Sequence, residues 1–102
     1  MDINLSSKTV KVTEDLASFF VAKMKRLEKY SRLGIAKVGV VVDRVKRGKS
    51  TTSDATVEVL ADVRGKTVAA KDVGNNVYQA FFRAYEKLEK MLRREKRMKR
   101  DR

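Results

Sequence analysis

The first third of the chain shows a strand pattern followed by a helix pattern. Ile3 and Leu5 alternate with polar residues, which is typical of a short half-buried strand. Thr13 and the two acids after it predict a helix start, because a hydroxyl can cap free amides and acids suit the positive end of the helix dipole. Gly34 predicts the end of this helix, since glycine readily adopts the left-handed conformation that closes one.

Between residues 16 and 32 the sequence predicts a helix with one apolar and one basic side. With about 100° between successive residues, one arc gathers Leu16, Phe20, Met24, Leu27 and Ser31, widened by Phe19 and Tyr30. The side roughly opposite carries Lys25, Arg26, Lys29 and Arg32. Lys23 falls at the margin of the apolar arc, where its alkyl stem can pack while its ammonium group reaches solvent.

Three strands are predicted in the middle of the chain, over residues 35–45, 55–63 and 66–73. Alternation places on one face Ala36, Val38, Val40 and Val42, and then Val57, Val59, Ala61 and Val63. Arg64–Gly65 is a tight-turn signal, so the last two strands should form an antiparallel hairpin. The polar segment 46–54 predicts an exposed loop. Its cations either contact phosphate or only keep the loop soluble: Lys46, Arg47 and Lys49.

A second helix is predicted over residues 77–97, after a break at Gly74–Asn75–Asn76 that offers a cap. Its core face holds Val77, Phe81, Ala84, Leu88 and Met91, broadened by Tyr78, Tyr85 and Leu92. Tyrosines at such positions, Tyr30 included, favour a core or core-edge role over base stacking. The order is therefore β-α-β-β-β-α, an α+β fold in which one mixed sheet carries two amphipathic helices packed on one face.

Composition removes several classes of function. The chain of 102 residues has no Cys and no His, which excludes disulfides, thiolate chemistry and imidazole catalysis. The acids near strand ends show no spacing typical of a carboxylate pair or metal site: Asp43, Asp54 and Asp62. We therefore expect no enzyme, no metal and no cofactor. The N-terminus lacks a secretory signal pattern and no apolar run approaches a membrane span, so we expect a soluble intracellular protein.

Charge gives the strongest functional signal. Lys and Arg number 25 against 13 Asp and Glu, a net charge of +12, of which the last ten residues hold +5. On the second helix, spacings of 4, 3, 4 and 3 align Arg83, Lys87, Lys90, Arg94 and Arg97 along one edge. With both helices on one sheet face, these cations and those of the first helix form a broad surface that can neutralise the phosphates of a nucleic acid.

Two simpler interpretations of the charge remain. Exposed Lys and Arg can serve only as a solubilising face, although acidic partners at helical spacing are few here. An amphipathic membrane-surface role conflicts with the use of the apolar stripe of the second helix in the core.

Several segments resemble the ribosome hibernation-promoting factors, a family that includes the ribosome-associated inhibitor proteins and a plastid ribosome-associated homologue. Residues 77–81 (VYQAF) and 87–94 (KLEKMLRR) are similar to the opening and continuation of the family's signature helix. Residues 22–30 (AKMKRLEKY) resemble its basic helix end, and residues 10–16 (VKVTEDL) its helix entry. The resemblance covers nearly the whole chain, and the segments occur in the family's order.

This resemblance implies a domain that binds the small ribosomal subunit and its RNA. It would lie in the decoding channel, where messenger and transfer RNA otherwise lie, and silence idle ribosomes in the cytoplasm of a bacterium or the stroma of a plastid. Residues 1–92 would form the ribosome-binding domain, with residues 93–102 as a basic extension of the second helix or a tail. Pairing of ribosomes into dimers would require a further C-terminal domain.

The resemblance also carries over individual residues. The family's RNA-contacting positions map onto Lys23, Arg26, Lys29, Lys87, Lys90 and Arg94. Two positions depart from the family pattern, which usually has acids there: Asn76, which can still cap, and Phe82, which exposes an aromatic ring near the helix start.

Two other functions fit parts of the sequence. A general RNA-binding module that reads A-form shape is possible, because double-stranded-RNA-binding domains share the α-β-β-β-α outline. Comparing its affinity for a plain RNA duplex with that for small subunits separates this role from the ribosomal one. An enzyme acting on polyanions could recruit substrate with the cationic surface, but no acid–base pair is evident.

Overall fold

The computed structural model describes residues 2–8, 11–46 and 53–100, with side chains omitted at 45–46, 53 and 97–100. Its elements are β1 (Asp2–Ser7), α1 (Glu14–Lys25), a 3₁₀ helix (Arg26–Leu33), β2 (Ile35–Lys46), β3 (Ser53–Val63), β4 (Lys66–Gly74) and α2 (Val77–Arg100). The predicted loop is shorter than expected, because Ser53 and Asp54 already belong to β3. Its remaining cations, Arg47 and Lys49, lie outside the described residues, as does the side chain of Lys46.

The four strands form one mixed sheet in the order β1-β2-β3-β4. β1 runs parallel to β2, and the other two pairs are antiparallel. The predicted hairpin is confirmed: Arg64 and Gly65 both have positive φ, 51° and 80°, which matches the twist that a two-residue hairpin turn needs. The predicted α+β class and element order are thereby confirmed.

The two central strands extend beyond their outer neighbours. β1 pairs with β2 only as far as Val42, and β4 pairs with β3 only as far as Ala55. The β2–β3 ladder continues to the pair Lys46 and Ser53. Within the part of the chain that the structure describes, the end of this ladder is therefore a two-stranded ribbon without a further strand on either side.

One face of the sheet is apolar, and both helices cover it. Every second residue of the central strands is buried, from Val38 to Val42 in β2 and from Ala55 to Val63 in β3. The helices add Phe20 and Phe81, which are fully buried with ring centroids 5.0 Å apart. These side chains belong to one continuous core, so burial of the apolar faces holds the helices side by side on the sheet.

The first helix differs from the prediction in its second half. Its start is as predicted, since the Thr13 hydroxyl accepts a hydrogen bond from the Leu16 amide at 3.2 Å. From Arg26 it continues as a 3₁₀ helix, which has three residues per turn instead of 3.6. This tighter winding exposes Ser31, predicted to face the core, and buries Leu33 instead. Gly34 ends it with φ 73°.

Three further core predictions were wrong. Ala36 is exposed because the β2–β3 register shifts between Ile35 and Lys37, and the extra residue of such a bulge turns neighbouring side chains to the other face. Tyr78 and Met91 are 46% and 38% exposed. Both lie at the flanks of the apolar arc of α2, beyond the width that the sheet and first helix cover.

Two buried tyrosines differ in how their hydroxyls are satisfied. The Tyr30 hydroxyl donates to Glu89 Oε2 at 3.1 Å. The Tyr85 hydroxyl is buried and has no hydrogen-bond partner among the described residues. Burial, assisted by the nearby Glu89 carboxylate, raises the pKa of Tyr85 to about 12, so this hydroxyl stays protonated at neutral pH.

We expect Tyr85→Phe to leave the free energy of unfolding unchanged or to raise it by up to about 1–3 kcal/mol, since an unpaired buried hydroxyl costs about that much. The matched variant Tyr30→Phe removes a made hydrogen bond and should lower it by about 1–2 kcal/mol. Urea denaturation followed by circular dichroism measures both. A larger loss for Tyr85→Phe than for Tyr30→Phe would contradict this account.

Gly74 marks the close passage from β4 into α2. A Cβ placed there would lie 2.6 Å from the Ala80 backbone nitrogen, which is too short for any side chain. Asn76 follows as the predicted cap, its Oδ1 accepting from the Gln79 amide at 2.9 Å.

Gly74→Ala should therefore lower the free energy of unfolding by about 1–3 kcal/mol, because the helix start must shift away from the strand. Lys71→Ala, at an exposed position of the same strand, should change it by no more than about 0.5 kcal/mol. Thermal melts of the two variants compare these effects, and equal melting temperatures would show that the contact at Gly74 is unimportant.

Candidate nucleic-acid interface

The basic side of the first helix is exposed as predicted. Lys25, Arg26, Lys29 and Arg32 all lie at the surface. Their positions follow from the core, because burial of Met24, Leu27 and Tyr30 turns the intervening residues outward. The 3₁₀ winding does not disturb this, since the basic residues at 26, 29 and 32 repeat every third position and stay aligned.

The cationic edge of α2 is exposed as well. Arg83, Lys87, Lys90 and Arg94 are at the surface, and the side chain of Arg97 lies outside the described part. Arg83 and Lys87 reach the neighbouring strand β4. The Arg83 guanidinium donates to the Val73 carbonyl at 3.0 Å, and Lys87 Nζ lies 3.0 Å from Asp72 Oδ2.

Asp72 is ionised and well held at this edge. Its Oδ1 accepts from the Val73 amide at 2.7 Å. This bond, and then the ion pair with Lys87, lower the pKa of Asp72. The partner of Lys87 comes from β4 and not from its own helix, so the search for acids at helical spacing did not include it.

Glu89 forms a second acidic contact, between the two helices. Its Oε2 lies 3.0 Å from Lys29 Nζ and accepts the Tyr30 hydroxyl. Burial, and then this hydrogen bond to the carboxylate, raise the pKa of Tyr30. Lys29 also lies 5.3 Å from the centre of the Tyr30 ring. Glu89 thus places one carboxylate between the basic side of the first helix and α2.

A shallow groove of about 320 Å³ follows the same line between the helices. It is lined by Lys29, Tyr30, Glu89, Arg93 and Lys96. Three cations here surround one carboxylate, so the groove favours an anionic group. The sequence analysis did not select Arg93 or Lys96. Their spacing of four and seven residues from Glu89 on α2 was the signal that places all three on one side of the helix.

Lys23 stands among aromatic rings at the opposite end of the seam between the helices. Its Nζ lies 5.6 Å from the centre of the Phe82 ring and 5.8 Å from that of Phe19. This confirms its predicted position at the margin of the core. Phe82 is 45% exposed, as its departure from the family pattern suggested. Tyr78, predicted to be a core residue, lies beside this group with its ring 5.0 Å from Phe19.

The outer face of the sheet differs in charge from the helix face. A shallow depression there of about 340 Å³ is lined by Lys8, Val41, Asp43, Thr56, Glu58, Lys71 and Val73. Two lysines here meet two acids. The positive excess of the described residues is therefore concentrated on the helix side.

The described residues show neither a metal-binding nor a membrane-spanning arrangement. Across residues 2–8, 11–46 and 53–100 no three Asp or Glu side chains cluster in a way that could hold a metal ion. Over the same ranges no helix combines the length and the hydropathy needed to cross a bilayer.

Comparison with known sequences finds one protein family. The family described as sigma 54 modulation protein / S30EA ribosomal protein matches residues 3–100. The ribosome hibernation promoting factor of Escherichia coli K12 is 32% identical over 97 residues, covering 94% of both chains.

Solved structures show the same fold. A ribosomal subunit interface protein from Coxiella burnetii superposes with a TM-score of 0.77 at 18% identity, covering 94% of this chain and 98% of that one. The N-terminal domain of Thermus thermophilus Protein Y gives a TM-score of 0.70 at 24% identity, covering 92% and 98%. With its sequence matched from residue 3 to residue 100, this chain belongs to the sigma 54 modulation protein / S30EA ribosomal protein family.

Proposed function

We propose that this protein associates with the ribosome and inhibits translation in idle or stressed cells. In the proposed complex the helix side contacts the RNA of the small subunit and occupies the decoding channel, where messenger and transfer RNA otherwise bind. The single observation that carries the proposal is the placement of the cations. Of the nine described members of the predicted set, eight are exposed on the two helices and Lys23 is partly exposed between them.

The family and its named members support the general role. The Escherichia coli relative is named a ribosome hibernation promoting factor, and the Coxiella burnetii structure a ribosomal subunit interface protein. Membership of the same family favours a ribosomal target over other polyanions. The choice of the small subunit and of the decoding channel rests on the resemblance described above, and the charge of the helix face supports an RNA target.

The mechanism is steric and requires no bond chemistry. Exposed Lys and Arg side chains replace the counterions around RNA phosphates, and the release of those ions drives binding. Lys87 and Lys29 are already held in place by Asp72 and Glu89. The lysine end of each pair is exposed and screened by solvent, so exchanging a carboxylate for a phosphate costs little. The rigid core then keeps the domain in the path of the RNA ligands.

Replacing Lys87, Lys90 and Arg94 together by Glu should abolish co-sedimentation with small ribosomal subunits. Three attractive phosphate contacts become repulsive, while the side chains are exposed and the fold should persist. Inhibition of translation in a cell-free system should be lost in parallel. In the unsubstituted protein, affinity should fall steeply as salt concentration rises.

A matched variant separates position from net charge. Replacing Lys8, Lys37 and Lys71 by Glu changes the charge equally at exposed positions outside the two helices, and should largely preserve binding. Circular dichroism confirms that both variants fold. Unchanged co-sedimentation of the Lys87, Lys90 and Arg94 variant would sink the proposal. Equal or tighter binding to a plain RNA duplex than to small subunits would favour a general structured-RNA-binding module instead.

Asp72→Asn should strengthen binding to small subunits by up to about fivefold. It frees Lys87 from its solvent-screened ion pair with Asp72 and removes a negative charge beside the RNA. Filter binding at several salt concentrations measures this change. Glu58→Gln, on the outer face of the sheet, removes the same charge and should have no such effect; equal gains in both variants would point to net charge alone.

A further inference from the structure

Two half-exposed aromatic rings lie side by side near the start of α2. Tyr78 and Phe82 are 46% and 45% exposed and, being four residues apart, lie on one side of the helix. Phe19 of α1 contacts both rings edge-on, with centroids 5.0 and 5.7 Å away. Lys23, one turn further along α1, brings its ammonium group to 5.6 Å from the Phe82 ring centre. These four residues form the aromatic platform.

The platform rests on the rigid part of the core. Phe81, fully buried, touches both Phe19 and Phe82, with centroids 5.5 and 6.0 Å away. Phe20 packs against Phe81 from the other side. The core beneath is thus closed without the exposed halves of Tyr78 and Phe82. Large aromatic side chains that remain half exposed are unusual, and such surfaces commonly mark a binding site.

We propose that the aromatic platform binds an unpaired nucleobase of RNA, by stacking against Phe82 or Tyr78, with the adjoining phosphate held by Lys23. The inference deepens the proposed function and relies on it for RNA as the target. It assigns to this end of the interface a recognition of single-stranded RNA that the phosphate-binding cations elsewhere do not provide. Stacking tolerates any base, because every base presents a π face.

The positive charge beside the rings favours a nucleotide over a wholly apolar ligand. Lys23 is partly exposed at the edge of the platform, and Arg26, about one turn further along the chain, is exposed. An apolar peptide or acyl chain would cover the rings but leave these cations without anionic partners. A nucleotide offers both a flat apolar surface and a phosphate, so it matches both parts of the site.

The test uses a short single-stranded RNA that carries 2-aminopurine, whose fluorescence is quenched when it stacks on an aromatic ring. We expect quenching on binding to the full chain. Phe82→Leu and the double variant Tyr78→Leu with Phe82→Leu should weaken binding by about tenfold or more and reduce the quenching at saturation. Phe82→Tyr keeps a ring and should retain both. Met91→Ala, at an exposed apolar position elsewhere on α2, should change neither.

The charge-reversed variant of Lys87, Lys90 and Arg94 distinguishes this inference from the proposed function. It should bind the oligonucleotide more weakly but quench it normally at saturation. Undiminished quenching by a folded Phe82→Leu, Tyr78→Leu double variant would overturn the proposed nucleobase site. The proposed binding to small subunits would not be affected by that result. If the double variant lost binding to anionic vesicles but showed no loss of quenching, the rings would form a membrane contact and the proposed nucleobase site would be overturned. Quenching that depends on the rings would stand even if small subunits did not bind.

Discussion

The contact between Phe20 and Phe81 beneath the seam of α1 and α2 is the one on which the rest of the structure depends. Both rings are fully buried, so each helix is fixed in rotation about its own axis. With those faces buried, the cations on the other sides of the first helix and of α2 face solvent. The same contact supports Phe19 and Phe82 from below. Core packing therefore also sets the positions of the surface cations, because a helix cannot rotate its buried face without moving its exposed face.

The acids near the interface leave its net charge positive, but they hold individual lysine side chains in place. Asp72 and Glu89 each bind one lysine at 3.0 Å, so they hold those side chains near the conformation from which a phosphate could take them over. They also place two carboxylates within a surface that is otherwise rich in cations.

Most of the fold and the direction of the helix cations could be predicted from the sequence, because both follow from local periodicity. Val57, Val59, Ala61 and Val63 alternate and are buried; Lys25, Arg26 and Lys29 lie opposite apolar residues and are exposed. The errors have tertiary causes. Nothing local shows that the winding tightens at Arg26, that a bulge turns Ala36 outward, or that the sheet is too narrow to cover Tyr78. Likewise, the partner of Lys87 stands fifteen residues away on another element, where no helical spacing could reveal it.

The two-stranded end of β2 and β3 has a consequence for how stability is distributed. Inside the sheet, opening either central strand means breaking hydrogen bonds to two neighbours and uncovering the core. From Asp43 to Lys46 the described backbone ladder joins β2 to β3 alone, so this segment has fewer strand–strand hydrogen bonds to break on opening than the rest of β2. Local opening should therefore cost less at this end of the sheet than in its four-stranded part. A ligand that held this ribbon in one conformation would incur the loss of conformational entropy at one end of the domain. The helix side would keep its shape.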